Sequence, residues 1–207
     1  MEKEELKERI LEATFLLFRS YGVKSITMDD IAKHLAMSKK TIYQYFKDKD
    51  DLVIQLMQRL LADNQKQMDD CCEKADNPIH EVIMILAQME KMMRPMNPTM
   101  FYDMQKYHPT AWGLFEQYKN VCVYEKLHKN LIAGVEQGLY RKGMNLEILT
   151  TMRMMQVTHV FNPLYYSPDK FNITDVMHQL TDHFLHGVTT LKGHKLINKY
   201  LQLTEEE

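Results

Sequence analysis

Glycine and proline are scarce in this chain, at 7 and 6 of 207 residues. Strand-and-turn architectures draw heavily on both. Methionine, leucine, lysine, glutamate and glutamine are plentiful instead, so the composition favours an all-α protein. Cysteine is nearly absent: Cys71, Cys72 and Cys122 form an odd set with no CxxC pair. That argues against a disulfide framework and a zinc site, and for ordinary reduced thiols. No apolar run of about 18 or more residues occurs, which excludes a membrane-spanning helix. The opening MEKEELKERI lacks the apolar core of a signal peptide, so the chain is expected in the cytoplasm without a membrane partner. Neither charge sign dominates: the formal net charge is −2, which excludes a polycation that coats nucleic acid indiscriminately. No P-loop, G-x-S-x-G or HExxH is present, leaving an enzyme reading without residues to rest on. His178, His183 and His186 invite a metal reading, since histidines three apart face the same side of a helix, yet no cysteine or carboxylate cluster completes a metal site. No metal or cofactor is expected.

What is present is order. Hydrophobic residues make up 45 % of the chain, an ordinary share for a folded protein. Leu6, Ile10, Ala13, Leu17 and Tyr21 recur in steps of three and four and predict a first helix that Gly22 can end. Thr27 with Asp30 has capping-box spacing for a second helix, with Ile31, Ala32 and Leu35 inward. Ser38 offers the N-cap of a third helix running to Tyr45 or Phe46. Two short helices joined by so tight a turn read as a helix-turn-helix. Asp48 and Asp51 repeat the cap spacing before a long fourth helix. Further helices are expected after Asn77-Pro78, around Met100 to Tyr107, from Pro109 to about Leu139, from Leu146 to Val160, and from Asn172 to Leu191, with Pro95 and Pro98 as breakers. Gly138 and Gly143 bracket a turn, and the acidic end EEE is expected to fray.

Charge is concentrated locally. From Lys33 to Lys49 there are five lysines against Asp48 alone, the footprint of a face that docks on phosphate. In KKTIYQYF, Ile42 and Phe46 are four apart and point inward together, which leaves Lys39, Lys40, Thr41, Tyr43 and Gln44 on the outer faces. Lysine suits phosphate or a guanine edge, glutamine suits adenine, and threonine and tyrosine hydroxyls reach phosphate. Lys47 and Lys49 are further phosphate candidates. A solvated amphipathic helix is the plain alternative.

Residues from about Ile10 to Leu56 carry ATFLLFRSYG at Ala13 to Gly22, TMDDIA at Thr27 to Ala32 and SKKTIYQYFKDK at Ser38 to Lys49. In this order and spacing they resemble the DNA-binding domain of the TetR family of bacterial transcriptional regulators. The resemblance covers roughly a quarter of the chain, supplemented by EQGLYRKGMN further on. It implies a three-helix DNA-binding domain, a connecting fourth helix, a C-terminal ligand-binding and dimerisation domain, and repression relieved by a small molecule. It places Thr27 at the phosphate backbone, Lys39, Thr41, Tyr43, Gln44 and Tyr45 on the recognition helix, and Lys49 on a phosphate. Two positions depart from the family: Ala36 and Lys40 stand where glycine is frequent. If the turn at Ala36 is left-handed, it costs about 1 kcal/mol.

The domain reading is therefore residues 1–48 for DNA binding and 49–207 for ligand binding and dimerisation, with 49–75 as connecting helix. Met is unusually frequent, at 17 residues. Met89, Met93, Met100, Phe101, Met104, Trp112, Phe115 and Tyr118 are candidates for an adaptable pocket taking a small apolar effector; the plain alternative is core. Ile148, Met152 and Met155 on one helix, and Ile173, Val176, Met177, Leu180, Phe184 and Val188 on another, offer faces for a homodimeric four-helix bundle. Such a dimer presents two recognition helices to a palindromic double-stranded operator. A DNA-binding structural or cell-division factor without an effector is the second reading.

Overall fold

The computed structural model describes residues 2–97 and 99–202. Pro98 and the EEE end lie outside the described residues. Among those described, eleven α-helices follow one another: α1 (Glu2–Tyr21), α2 (Met28–His34), α3 (Lys39–Ile42), α4 (Lys49–Lys74), α5 (Pro78–Met93), α6 (Met100–Tyr107), α7 (Pro109–Tyr118), α8 (Tyr124–Glu136), α9 (Leu146–His159), α10 (Ile173–Val188) and α11 (Leu191–Leu201). A π-helical turn, Lys119–Val123, lies between α7 and α8. No β-strand forms among the described residues, only an isolated antiparallel bridge between Tyr140 and Thr189. The fold is all-α, and no helix among these residues is long and apolar enough to cross a membrane.

The chain divides into two compact units. The first is Met1–Asn64 with Pro95–Tyr118; the second is Gln65–Arg94 with Lys119–Glu207. In the first, the three-and-four stripe of α1 buries Ile10, Ala13, Leu17 and Phe18 against Ile31 and Ala32 of α2, Ile42 and Phe46 beyond them, and Leu52, Val53 and Leu56 of α4. Removing such apolar area from water is worth roughly 1.5–3 kcal/mol per large side chain. Gly22 ends α1 at φ 82°, its N–H donating to Phe18 O at 2.9 Å. A Cβ there would lie 3.1 Å from both Thr99 Oγ1 and Asp103 Oδ2. The segment leading into α6 is fastened to the end of α1 by Asn97 N–H donating to Arg19 O (2.7 Å) and Lys24 N–H to Asp103 Oδ2 (3.2 Å).

In the second unit, Ile79, Leu131, Tyr140, Phe184, Leu185, Val188 and Ile197 form the core. Asn77 caps α5 ahead of Pro78, its side chain accepting from Ile79 and His80 N–H. The Tyr140 hydroxyl donates to Asn130 Oδ1 at 3.0 Å, and Asn130 Nδ2 donates to Pro78 O at 2.9 Å. Tyr140 lies on Gly134 so closely that a Cβ there would sit 2.0 Å from its ring. The turn after α8 contains Gly138 and Gly143, both at positive φ. Arg153 clasps α9 to α10, donating to Leu180 O (3.1 Å) and Thr181 Oγ1 (2.6 Å) with its guanidinium over the Phe184 ring.

Two expected helices differ. The run from Pro109 is interrupted by the π-helical turn and ends at Glu136 rather than Leu139. The run expected from Asn172 to Leu191 stops at Val188. Thr189 is extended there and Thr190 N–H donates to Leu139 O (2.9 Å), while the Thr190 side chain caps a separate helix, α11, which periodicity did not separate. Leu191, the expected end of that helix, is 83 % exposed.

Candidate nucleic-acid interface

Three short segments build the surface. Thr27 caps α2 reciprocally with Asp30: Asp30 N–H donates to Thr27 Oγ1 at 3.2 Å, and Thr27 N–H donates to Asp30 Oδ2 at 2.9 Å. The Thr27 hydroxyl, also on that carboxylate, holds Asp30 below the usual carboxylate range. After α2 the turn passes through Ala36 at φ 52°, so the backbone is left-handed without a glycine. Met37 N–H donates to Ala32 O at 2.9 Å and closes the turn. Ser38 then caps α3, accepting from Thr41 N–H at 3.1 Å.

The recognition segment is shorter as an α-helix than expected. It spans Lys39–Ile42, and the next turn tightens: Gln44 and Tyr45 N–H donate to the carbonyls three residues back, Thr41 and Ile42. Ile42 and Phe46 are wholly buried and fix the segment on the core. Lys40, Gln44 and Lys47 are exposed and Tyr43 is 43 % exposed, so an outer face of lysine, tyrosine and glutamine faces solvent. Thr41 is half-buried, its hydroxyl 2.8 Å from Ser38 Oγ. Tyr45 is half-buried and packs against the core.

Two lysines are already engaged. Lys39 Nζ meets Asp29 Oδ2 at 2.9 Å, a hydrogen bond that raises its pKa. Lys49, expected on a phosphate, turns inward. Its Nζ donates to Val23 O at 2.6 Å and lies 5.7 Å from the Phe18 ring centre, and burial lowers its pKa. The carboxylates after α3 are caps: Asp51 N–H donates to Asp48 Oδ1 (2.8 Å), and Lys47 N–H donates to Asp51 Oδ2 (2.8 Å).

The methionine and aromatic residues proposed as a pocket are divided between the two units. Met100 and Met104 belong to the core of the first unit, with Trp112 and Phe115 packed on it. Phe101 and Phe115 are in tilted ring contact, and the Tyr118 hydroxyl donates to Asn64 Oδ1 at 2.7 Å. Met93 is buried and Met89 half-buried on α5, in the second unit. That unit has instead an open cleft of about 320 Å³ lined by Lys119, Asn120, Tyr124, Thr151, Met154, Met155, Thr158 and His159. None of these belongs to the methionine-aromatic set; the signal that marks the place is the π-helical turn, which sequence periodicity does not reveal.

The two dimer faces fare differently. On α9, Ile148, Met152 and Met155 are 63, 41 and 58 % exposed. On α10, Val176, Met177, Phe184 and Val188 are 8, 6, 2 and 2 % exposed within the single chain, and Phe184 and Val188 belong to the unit's own core, so little of these four side chains is left for an interface. Ile173 and Leu180 are half-buried. Of the three histidines, His178 Nε2 is 3.1 Å from Glu90 and His186 Nδ1 is 3.0 Å from Asp182, while His183 is exposed. The cysteines are free, and burial pushes the Cys72 thiol up to about 11, so it is protonated at neutral pH.

Residues 10–56 match the family of bacterial regulatory proteins, tetR family. The HTH-type transcriptional regulator YvaF of Bacillus subtilis (strain 168) is 26 % identical over 185 residues, 89 % of this chain and 96 % of that protein. A structure from Saccharomonospora viridis in complex with choline has a TM-score of 0.76 at 16 % identity, covering 90 % of this chain and 99 % of that one. A TetR-family transcriptional regulator from Agrobacterium tumefaciens reaches 0.74 at 14 % identity over the same shares. With the helix-turn-helix geometry, residues 10–56 match the DNA-binding domain of the bacterial tetR family, and the rest of the chain is similar to regulators of that type in fold.

Proposed function

We propose that this regulator is a ligand-responsive repressor that binds a palindromic operator as a cytoplasmic homodimer. The observation that carries the DNA reading is the recognition segment itself: Ile42 and Phe46 are wholly buried while Lys40, Tyr43 and Gln44 stand outward. Lysine, tyrosine and glutamine offer phosphate and base-edge chemistry from one rigid surface. Lys39, Thr41 and Lys47 flank that face, Thr27 adds a backbone contact, and Tyr45 and Lys49 act through packing. Residues 1–48 are the DNA-binding domain; 49–207 hold effector and dimer functions, with 49–75 as connector.

Dimerisation uses the exposed stripe Ile148, Met152 and Met155 on α9, because an uncovered apolar stripe at helical spacing gains most by burial against its copy. Two-fold symmetry then sets the recognition segments about 34 Å apart, one helical turn of DNA. An effector acts only if it binds one spacing of those segments better than another. The open cleft by the π-helical turn is the place for it: Tyr124, Met154 and Met155 give apolar wall, and Asn120, Thr151 and Thr158 give polar groups. The burial of Met100 and Met104 in the first unit's core favours the second reading, a DNA-binding factor without an effector.

Selection of bound sequences from random duplex DNA tests the proposal. It predicts an inverted repeat with half-sites one helical turn apart. Enrichment of a single unrepeated motif contradicts the dimeric reading, and no enrichment contradicts sequence-specific regulation.

A further inference from the structure

Asp29 lies two residues past the Thr27 cap and is not part of it, since the reciprocal capping pair is Thr27 with Asp30. Its carboxylate serves Lys39 instead, across the turn, at 2.9 Å. Among the described residues Lys40 and Lys47, the other lysines of this outer surface, make no ion pair. Lys39 and Asp29 side chains are 48 % and 56 % exposed, so the pair is accessible to a docking polyanion and neither member is needed to fill the core. The arrangement places a carboxylate directly on one of the lysines of this surface.

Resting on the DNA-binding reading, we infer that Asp29 is an electrostatic brake: it occupies Lys39 in the free protein and lowers affinity for duplex DNA of any sequence. A phosphate that takes Lys39 must displace the carboxylate that holds it. The displaced Asp29 recruits a cation from solution, which cancels the counterion that the Lys39–phosphate contact releases. The penalty is the same factor in every complex in which Lys39 takes a phosphate, and in non-specific binding it falls on a smaller total affinity. Operator binding adds base-edge contacts that Asp29 does not oppose. The residue thus lowers background occupancy of arbitrary DNA while leaving room for a specific complex.

The test is a double-mutant cycle read by fluorescence anisotropy on a labelled duplex of arbitrary sequence over a salt series. Asp29→Asn is expected to tighten binding about two- to fivefold at low salt, the scale of one exposed ion pair. It should also steepen the plot of log affinity against log salt by up to about 0.9, one additional phosphate neutralised. The gain should vanish in the Lys39→Gln background and persist in Lys40→Gln. Unchanged or weaker binding by Asp29→Asn, or a gain that survives Lys39→Gln, overturns the inference. Tyr43→Ala separates its failure from that of the DNA reading. If Tyr43→Ala weakens binding while Asp29→Asn is silent, only the brake is wrong. If Tyr43→Ala and Lys39→Gln both bind like the wild type, the interface itself is misplaced and the brake falls with it.

Discussion

Ala36 keeps a left-handed backbone, φ 52°, in the turn between α2 and α3. A Cβ in that region costs roughly 1–2 kcal/mol, part of which glycine returns as unfolded-state entropy. Ala36→Gly should therefore stabilise the protein by about 0.5–1 kcal/mol, read as a higher thermal midpoint with DNA affinity unchanged. The sequence posed this choice at Ala36 and could not decide it, because φ follows from how Met37 reaches back to Ala32. Lys49 gives the opposite lesson. Its family position pointed to a phosphate, but the side chain turned to Val23 O and the Phe18 ring. Lys49→Ala should consequently lower the urea midpoint as well as DNA affinity, whereas Tyr43→Ala should lower affinity alone. Equal stability of Lys49→Ala and wild type would contradict the inward role.

Caps decided the elements, and caps were largely legible. Thr27 with Asp30, Ser38, Asp48 with Asp51, and Asn77 all sit where the sequence placed them, since each signal is local. Long-range events were not: α10 ends where Thr190 pairs with Leu139, a contact across 51 residues. The α10 stripe likewise had the right period, yet period alone does not say whether the facing surface belongs to the same chain or to a copy. The caps also predict a pH response. Asp51 is held below the usual carboxylate range, first by the Gln55 side chain and also by the Lys47 amide, and Asp30 by Thr27. A carboxyl with a depressed folded pKa contributes stability that is present above its unfolded value, about 3.9 for aspartate, and lost as pH falls through the folded one. Urea midpoints should thus fall on acidification below about pH 4, and less steeply in Asp51→Asn. Closer packing yields a further expectation. Gly134 has no room for a Cβ beneath the buried Tyr140 ring, so Gly134→Ala should cost about 1–3 kcal/mol, measurable by chemical unfolding.

At the scale of the whole molecule, fold class and the tetR-type DNA-binding domain were legible because helical periodicity and the Ile10 to Leu56 motifs are strong local signals. The open cleft was not, since it depends on a π-helical turn and on residues of α8 and α9 distant in sequence. Assembly makes its own prediction: Met152→Glu, at an exposed position of α9, should shift sedimentation from dimer to monomer without altering helix content. A variant that stays dimeric would move the interface elsewhere. The central claim is that the outer face of the recognition segment holds duplex DNA. Its most direct measurement is the affinity of wild type and Tyr43→Ala for the selected operator, with thermal midpoints recorded on the same samples. The account predicts a loss of about tenfold or more, the scale of one base-edge contact, at an unchanged midpoint. Equal affinity of the two proteins would contradict it.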